Sequence, residues 1–262
     1  MSLNASTHLL DTINSVLDQT YRNFEIIVKD GGSVDNSLNL LPKKEEIILI
    51  KEHDSGIYDA MNQALEHCKG KYILFLNAGD VLSSSEIFEK LAPYCLKEKA
   101  AYLIYTDYFL LQYNSMVYSP ARLSDFFLYR TMLCHQACFL QREAYKQYGN
   151  FDTSFKIVAD YDLLTRYVIQ KKITHEYVPI VSTKYMGEGF SSKTQNQKIA
   201  KKEVIRIRRN YYNVEKRVMF GLLLYMTFPS IRKALFRYTA LKPIALIYIK
   251  VINFINRRRI KT

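Results

Sequence analysis

The sequence predicts an α/β protein, with helices on both faces of a mostly parallel central sheet and a basic helical extension at the C-terminal end. Two observations predict the sheet. Short apolar runs alternate with amphipathic stretches between residues 24 and 107, the pattern of successive βα units. Several of those runs end on a carboxylate or a small polar cluster, and ligands of such sheets bind in the crevice outside the strand ends. A third observation sets the extension apart. Residues 1–200 hold 21 Lys and Arg against 23 Asp and Glu, whereas residues 201–262 hold 16 against two. The net charge of +12 therefore belongs to the tail.

The elements follow in order. Residues 4–19 read as a helix, with Ser6 or Thr7 as cap and Leu9, Leu10, Ile13, Val16 and Leu17 as its apolar stripe. Residues 24–28 form a β-branched strand that runs into Asp30-Gly31-Gly32, where a Gly pair permits either close approach to a ligand or a tight turn. Residues 47–50 are a second strand. From Ile57 the apolar residues recur as Ile57, Met61, Ala64, Leu65 and Cys68, one face of a helix that Gly70 stops. Residues 72–76 are a strand covered on both faces, and Asn77-Ala78-Gly79-Asp80 lies just past its end. A serine-capped helix over 83–91 and a strand over 101–107 complete the regular part.

Beyond Asp107 the chain is aromatic and irregular. A short helix is predicted near 124–129, then the CHQACF segment from Cys134, a helix over 142–148, and a helix over 159–170 with Asp160 and Asp162 in its first turn. Carboxylates in that position serve either as partners of the helix dipole or as site residues. Residues 175–185 read as one or two strands split by Pro179, and 195–212 as a basic helix.

The 48% hydrophobic content suits a globular core. Four cysteines in 262 residues suggest no disulfide framework and favour a reducing compartment. Cys134, His135 and Cys138 lack the second ligand pair of a zinc site, so two core thiols flanking a polar pair are preferred over a metal. The start shows no charged-then-apolar signal peptide, and no apolar run reaches the length of a membrane span.

The extension, 213–262, alternates apolar blocks of about 11–12 residues with basic ones such as Arg257-Arg258-Arg259. Such blocks are too short to cross a bilayer and suit its interface. Lys and Arg beside them are attracted to anionic lipid. An anionic membrane surface is therefore the expected partner, and nucleic acid is not, since nucleic-acid tails are rarely this apolar.

Taken together, four segments resemble the family 2 glycosyltransferases of GT-A fold, which are inverting and use nucleotide sugars. They are SVLDQTYRNFEIIVKDGGSVDNS from Ser15, DSGIYDAMNQAL from Asp54, GKYILFLNAGD from Gly70 and VADYDLLTR from Val158. GIYDAMN, LNAGD and CHQA further resemble bacterial enzymes that build cell-surface polysaccharides. The resemblance implies a Rossmann-like GT-A domain over 1–212. It also implies a single-sugar (hexosyl) transfer from a nucleotide-diphosphate sugar to a hydroxyl of a lipid-linked or polysaccharide acceptor. The place implied is the cytoplasmic side, peripheral at the inner face of the plasma membrane.

Residue by residue, the resemblance implies that Asp30 binds the base and that Asp59 and Asn62 line the nucleotide-sugar pocket. Asn77 and Gly79 stand at the two aspartates of the family's DxD motif, so Asp80, one residue later, becomes the ligand of Mg²⁺ or Mn²⁺. Asp160 is the implied catalytic base, with Asp162 as a competitor because Ala159 replaces the preceding acid. His135 and Gln136 are implied contacts to acceptor or donor. Asn4, which with Asn77 and Gly79 is an implied donor-binding residue, aligns with the asparagine that ends the family's first strand, and only Met1-Ser2-Leu3 precedes it, so that strand is expected to be missing or supplied otherwise. A nucleotidyltransferase would need a basic Gly-rich loop after the first strand, and none is present. A non-catalytic, membrane-associated nucleotide-sugar-binding module of the same fold is the alternative that the missing strand and the altered DxD favour.

Overall fold

The computed structural model describes residues 6–187 and 194–226. Asn4 and most of the basic extension lie outside them. The strands are β1 (Ile26–Asp30), β2 (Ile47–Lys51), β3 (Tyr72–Ile73), β4 (Val81–Leu82), β5 (Leu103–Leu110), β6 (Ser115–Val117), β7 (Cys138–Gln141) and β8 (His175–Tyr185). The helices are α1 (Ser6–Leu17), α2 (Ile57–His67), α3 (Ile87–Leu96), α4 (Asp125–Arg130), α5 (Arg142–Tyr148), α6 (Ala159–Thr165), α7 (Thr194–Tyr211) and α8 (Val214–Met226). A π-helical turn, Arg166–Gln170, continues α6.

The α/β class holds, but the pairing is more mixed than a mostly parallel sheet. β1 and β2 pair in parallel as a separate two-stranded sheet. The larger sheet runs β3-β7-β5-β8-β4, with β6 on β5, and only β5 and β8 are parallel in it. The reason lies past Asp107. There the chain returns through β6 and β7 as antiparallel partners of β5 instead of making another helical crossover. β8 is one strand that passes through Pro179. Its register on β5 jumps from Val178 to Val181, so Pro179, which has no N–H to donate, falls in the bulge. The helix expected from Ser83 starts later, at Ile87, because Ser83, just past β4, is tied to β8: its N–H donates to the Ser182 carbonyl at 2.9 Å.

β5 is the central wall. Leu103 and Tyr105 face a core built with α2 and α4–α7, and Ile104 faces a second core built with α1 and α3. All three are essentially inaccessible to water, as period-two alternation requires of a strand covered on both faces. Between β1 and the 70–76 segment lies a cavity of about 340 Å³, lined by apolar residues including Ile13, Ile26, Val28, Leu74 and Phe88. Among the described residues no strand joins the two sheets across it.

The first helix of the extension docks on the domain. Phe220 of α8 is buried against Tyr129 and Tyr212, at centroid distances of 5.2 and 6.0 Å, and Lys216 pairs with Asp125. No helix among the described residues is long and apolar enough to cross a membrane. Replacing Phe220→Ala removes this anchor, at a cost of up to about 3 kcal/mol to the docking of α8. Hydrogen exchange should then accelerate over residues 214–224 and stay unchanged in β5.

Candidate active site

The polar residues converge at the C-terminal ends of β5 and β8. The turn that leads to β4 lies there because Val81 pairs with Lys184. The 3₁₀ turn His135–Ala137 lies there because Cys138, the first residue of antiparallel β7, pairs with Tyr105. The start of α6 is brought to the same place by hydrogen bonds from α2 and from the 3₁₀ turn.

Two carboxylates are held by two consecutive residues of that turn. Gln136 is buried and donates from Nε2 to Asp80 Oδ2 at 3.0 Å, and the Cys134 thiol donates to its Oε1 at 3.1 Å. His135 places Nδ1 3.0 Å from Asp160 Oδ2. Asp80 is 3% exposed, and its Oδ1 accepts the Met186 N–H at 3.2 Å. Burial pushes the Asp80 carboxyl above the usual carboxylate range against these hydrogen bonds. Asp160 Oδ1 accepts the Tyr161 N–H at 2.9 Å. The Tyr58 hydroxyl is 3.0 Å from the same oxygen and 2.6 Å from the Ile157 carbonyl, so its single proton serves one of them at a time.

The backbone of the 77–80 turn is constrained at Gly79. Gly79 has φ +101° and donates its N–H to Thr12 Oγ1 at 2.9 Å. A Cβ there would also press on Met186 Cγ at 3.2 Å. A side-chain-bearing acid fits this backbone poorly, and the carboxylate sits one residue later. Asn77 contributes a buried Oδ1 with no hydrogen-bond partner.

The two acids of α6 separate clearly. Asp162 accepts the Tyr211 hydroxyl of α7 at 2.8 Å, whereas Asp160 faces His135. Burial raises its carboxyl too. The segment entering α6 is fixed by Glu203 of α7, whose carboxylate accepts the N–H groups of Lys156, Ile157 and Val158 at 2.6, 3.0 and 3.1 Å.

The other expected site residues are engaged elsewhere. Asp30, at the end of β1, accepts the Gly32 and Ser33 N–H groups at 3.0 and 2.9 Å and so orders its own loop. Asp59 accepts the Ser55 N–H and hydroxyl at 2.7 and 2.9 Å, which holds its carboxyl below the usual range. Asn62 is bonded at both ends to the Phe151 main chain, at 2.9 and 3.0 Å. The Cys138 thiol donates to the Cys134 carbonyl, and burial pushes it well up.

Three residues escaped the sequence reading: Lys29, Asp54 and Tyr58. Lys29 is fully buried and pairs with Asp54 at 3.0 Å, tying the loop after β1 to the loop before α2. A Cβ at Gly31 would meet Asp54 Oδ2 at 2.6 Å, so a larger residue there would have to displace that carboxylate. Tyr58 completes the link from α2 to Asp160. A lysine inside the apolar run FEIIVKD was the available signal for the first pair, since a buried cation needs a partner. Tyr58 stands inside the resembling GIYDAMN segment, where it is given no role of its own.

Residues 2–149 match the profile of glycosyl transferase family 2. A PGL/p-HBAD biosynthesis glycosyltransferase of Mycobacterium bovis is 28% identical over 198 residues, covering 74% of this chain and 77% of the relative. TuaG of Bacillus subtilis, a glycosyltransferase named for teichuronic acid biosynthesis, is 32% identical over 115 residues, or 42% of this chain and 45% of its own. Among solved structures, residues 1–349 of S. aureus TarS in complex with UDP superpose with a TM-score of 0.64 at 13% identity, covering 91% of this chain and 73% of that one. The Pyrobaculum calidifontis mannosyltransferase PcManGT, solved with GDP-Man and Mn²⁺, gives 0.59 at 14%, covering 96% and 83%. The chain spans 35% of a longer TarS structure that it also matches.

Gly79→Asp should lower stability by about 1–3 kcal/mol, because the backbone there disfavours any side chain. Urea unfolding of the two proteins checks this, and an unchanged midpoint would show that the turn tolerates a Cβ.

Proposed function

The chain belongs to glycosyl transferase family 2, and from that premise we propose that it moves a single sugar from a nucleotide-diphosphate sugar to an acceptor hydroxyl with inversion at the anomeric carbon. The acceptor we favour is a lipid-linked or polysaccharide glycan of the cell envelope. The observation that carries the reading is the 135–136 turn, where consecutive residues hold one carboxylate suited to a metal–diphosphate and another suited to proton transfer. The intact Asp160–His135 contact favours an enzyme over a non-catalytic module of the same fold.

The donor set suits a hard divalent cation. Asp80 is a desolvated carboxylate, and the unpartnered Oδ1 of Asn77 is a second oxygen on the same turn. Among the described residues no group of three His, Cys, Asp or Glu could hold a metal alone. Mg²⁺ and Mn²⁺ sites built from one or two carboxylates and the substrate's phosphates need no such cage. When bound, the ion stabilises the negative charge that grows on the departing diphosphate. Asp80 with Asn77 would hold it. Gln136 keeps Asp80 turned toward that position, Asp30 and the Lys29–Asp54 pair shape the loops for the nucleotide, and Asp160 with His135 handles the acceptor's proton. Asp59 and Asn62 support this pocket through α2. The bound UDP of one structural relative and the GDP-Man and Mn²⁺ of another support a nucleotide-sugar donor.

The extension supports a membrane-surface location at the cytoplasmic face. Residues 227–262 hold nine Lys and Arg and no acid, and α8 leaves Val214, Val218, Met219 and Leu222 exposed. Each basic residue near an anionic surface is worth about 1 kcal/mol.

Three outcomes are expected. A panel of UDP-, GDP- and dTDP-sugars should yield at least one that binds the full chain, and binding of none would sink the transferase reading. Mn²⁺ measured by electron paramagnetic resonance should bind tightly only with nucleoside diphosphate present, and Asp80→Asn should weaken that binding at least tenfold. Removing residues 227–262 should release the protein from phosphatidylserine vesicles in sedimentation, and equal sedimentation of both forms would defeat the membrane assignment.

A further inference from the structure

We propose that Tyr58 is a positioning residue for the proton transfer: its hydroxyl donates to Asp160 Oδ1 while that carboxylate is charged, and turns to the Ile157 carbonyl once the carboxyl holds the acceptor's proton. The inference rests on the transferase reading, with Asp160 as the base, and deepens it.

The hydroxyl lies between two acceptors. Its oxygen is 2.6 Å from the Ile157 carbonyl and 3.0 Å from Asp160 Oδ1. One O–H serves one of them at a time, and the same oxygen can also accept a hydrogen bond. A hydrogen bond to an ionised acceptor is roughly twice as strong as one between neutral groups. A charged Asp160 therefore draws the hydrogen toward Oδ1 despite the longer distance. When the carboxyl is neutral and carries its hydrogen on Oδ1, the preference reverses. Tyr58 then donates to Ile157, and its oxygen accepts from Asp160. Rotation of one hydrogen serves both states, with no heavy atom displaced.

The frame around the hydroxyl is held from three elements. The Tyr58 ring on α2 is buried and stacks on Phe151 at a centroid distance of 5.7 Å. Ile157 is gripped on both sides of its main chain, since Glu203 of α7 accepts its N–H at 3.0 Å while Tyr58 faces its carbonyl. The 3₁₀ turn before β7 holds the far oxygen of Asp160 through His135 Nδ1 at 3.0 Å. Burial, and after it the charge of Asp160, push the Tyr58 phenol well above its usual range, so its proton stays on the oxygen. Tyr58 is thus neither the acid nor the base.

The step balances with the groups named. The acceptor oxygen bonds to the anomeric carbon, the bond from that carbon to the diphosphate oxygen breaks with its electron pair going to the diphosphate, and the hydroxyl proton goes to the Asp160 carboxylate. Tyr58 gains and loses no proton. Asp160 returns its proton to solvent after product release.

Two measurements on the full chain decide the matter, using Tyr58→Phe, which keeps the ring and removes only the hydroxyl. Carbon-13 NMR of protein labelled at its aspartate carboxyls, with no substrate added, resolves Asp160 by the loss of its signal in Asp160→Asn. That signal should move in Tyr58→Phe, whereas the signal of Asp162, whose partner is Tyr211, should stay. This arm needs no sugar transfer, so its failure is distinct from failure of the functional reading. In the second arm the nucleotide sugar selected by the donor panel is turned over. Losing one hydrogen bond to a charged group should lower kcat about tenfold to a hundredfold and leave UDP affinity by calorimetry within about twofold. An Asp160 signal that stays at its wild-type position, a kcat within about threefold of wild type, or equal losses in kcat and UDP affinity would overturn the proposal.

Discussion

The site depends on the two hydrogen bonds made by one short turn, His135 to Asp160 and Gln136 to Asp80. Without them the 77–80 loop, the turn before β7 and the start of α6 would be three separate segments at one end of a sheet. Each bond joins residues far apart in sequence, and each involves a carboxylate withdrawn from water. A buried carboxylate is tolerated only when hydrogen bonds offset its lost solvation. Here the offset is incomplete at Asp80, whose carboxyl stays above its usual range.

The fold creates this meeting point by burying β5 on both faces. Helices α1 and α3 cover one side, and α2 and α4–α7 cover the other. The parallel neighbour β8 and the antiparallel neighbour β7 then bring opposite strand ends to the same edge. A second set of contacts, the buried Lys29–Asp54 pair and the three N–H groups accepted by Glu203, ties the loops around that edge to the frame. Local rigidity at the site therefore comes from polar contacts, and the apolar cores supply the platform.

Much of the fold was legible in the sequence because its main elements carry strong periodicity. α2 lies where the Ile57–Cys68 stripe predicts it, β2 starts at the predicted Ile47, and α5 matches its predicted span. The failures share a cause. β4, β6 and β7 are two to four residues long, too short for any period to register, and they are defined by partners distant in sequence. Those short strands make the larger sheet mixed rather than mostly parallel. Ser83 looked like a helix cap because serine suits both a cap and an edge strand, and only the pairing with β8 distinguishes the two. In the site, Asp80 and Asp160 were visible from motif position. The pairing of His135 with Asp160, the turn of Asp162 toward Tyr211 and the link through Tyr58 were not, since no spacing rule connects residues 58, 135 and 160.

The central claim is that the nucleotide sugar is held over the 77–80 turn beside His135. Hydrogen–deuterium exchange of the full chain with and without UDP and Mn²⁺ tests it most directly. The account predicts slowed exchange at residues 30–35, 77–80 and 134–137. Protection confined to other surfaces, with these three segments unchanged while UDP is bound, would contradict it.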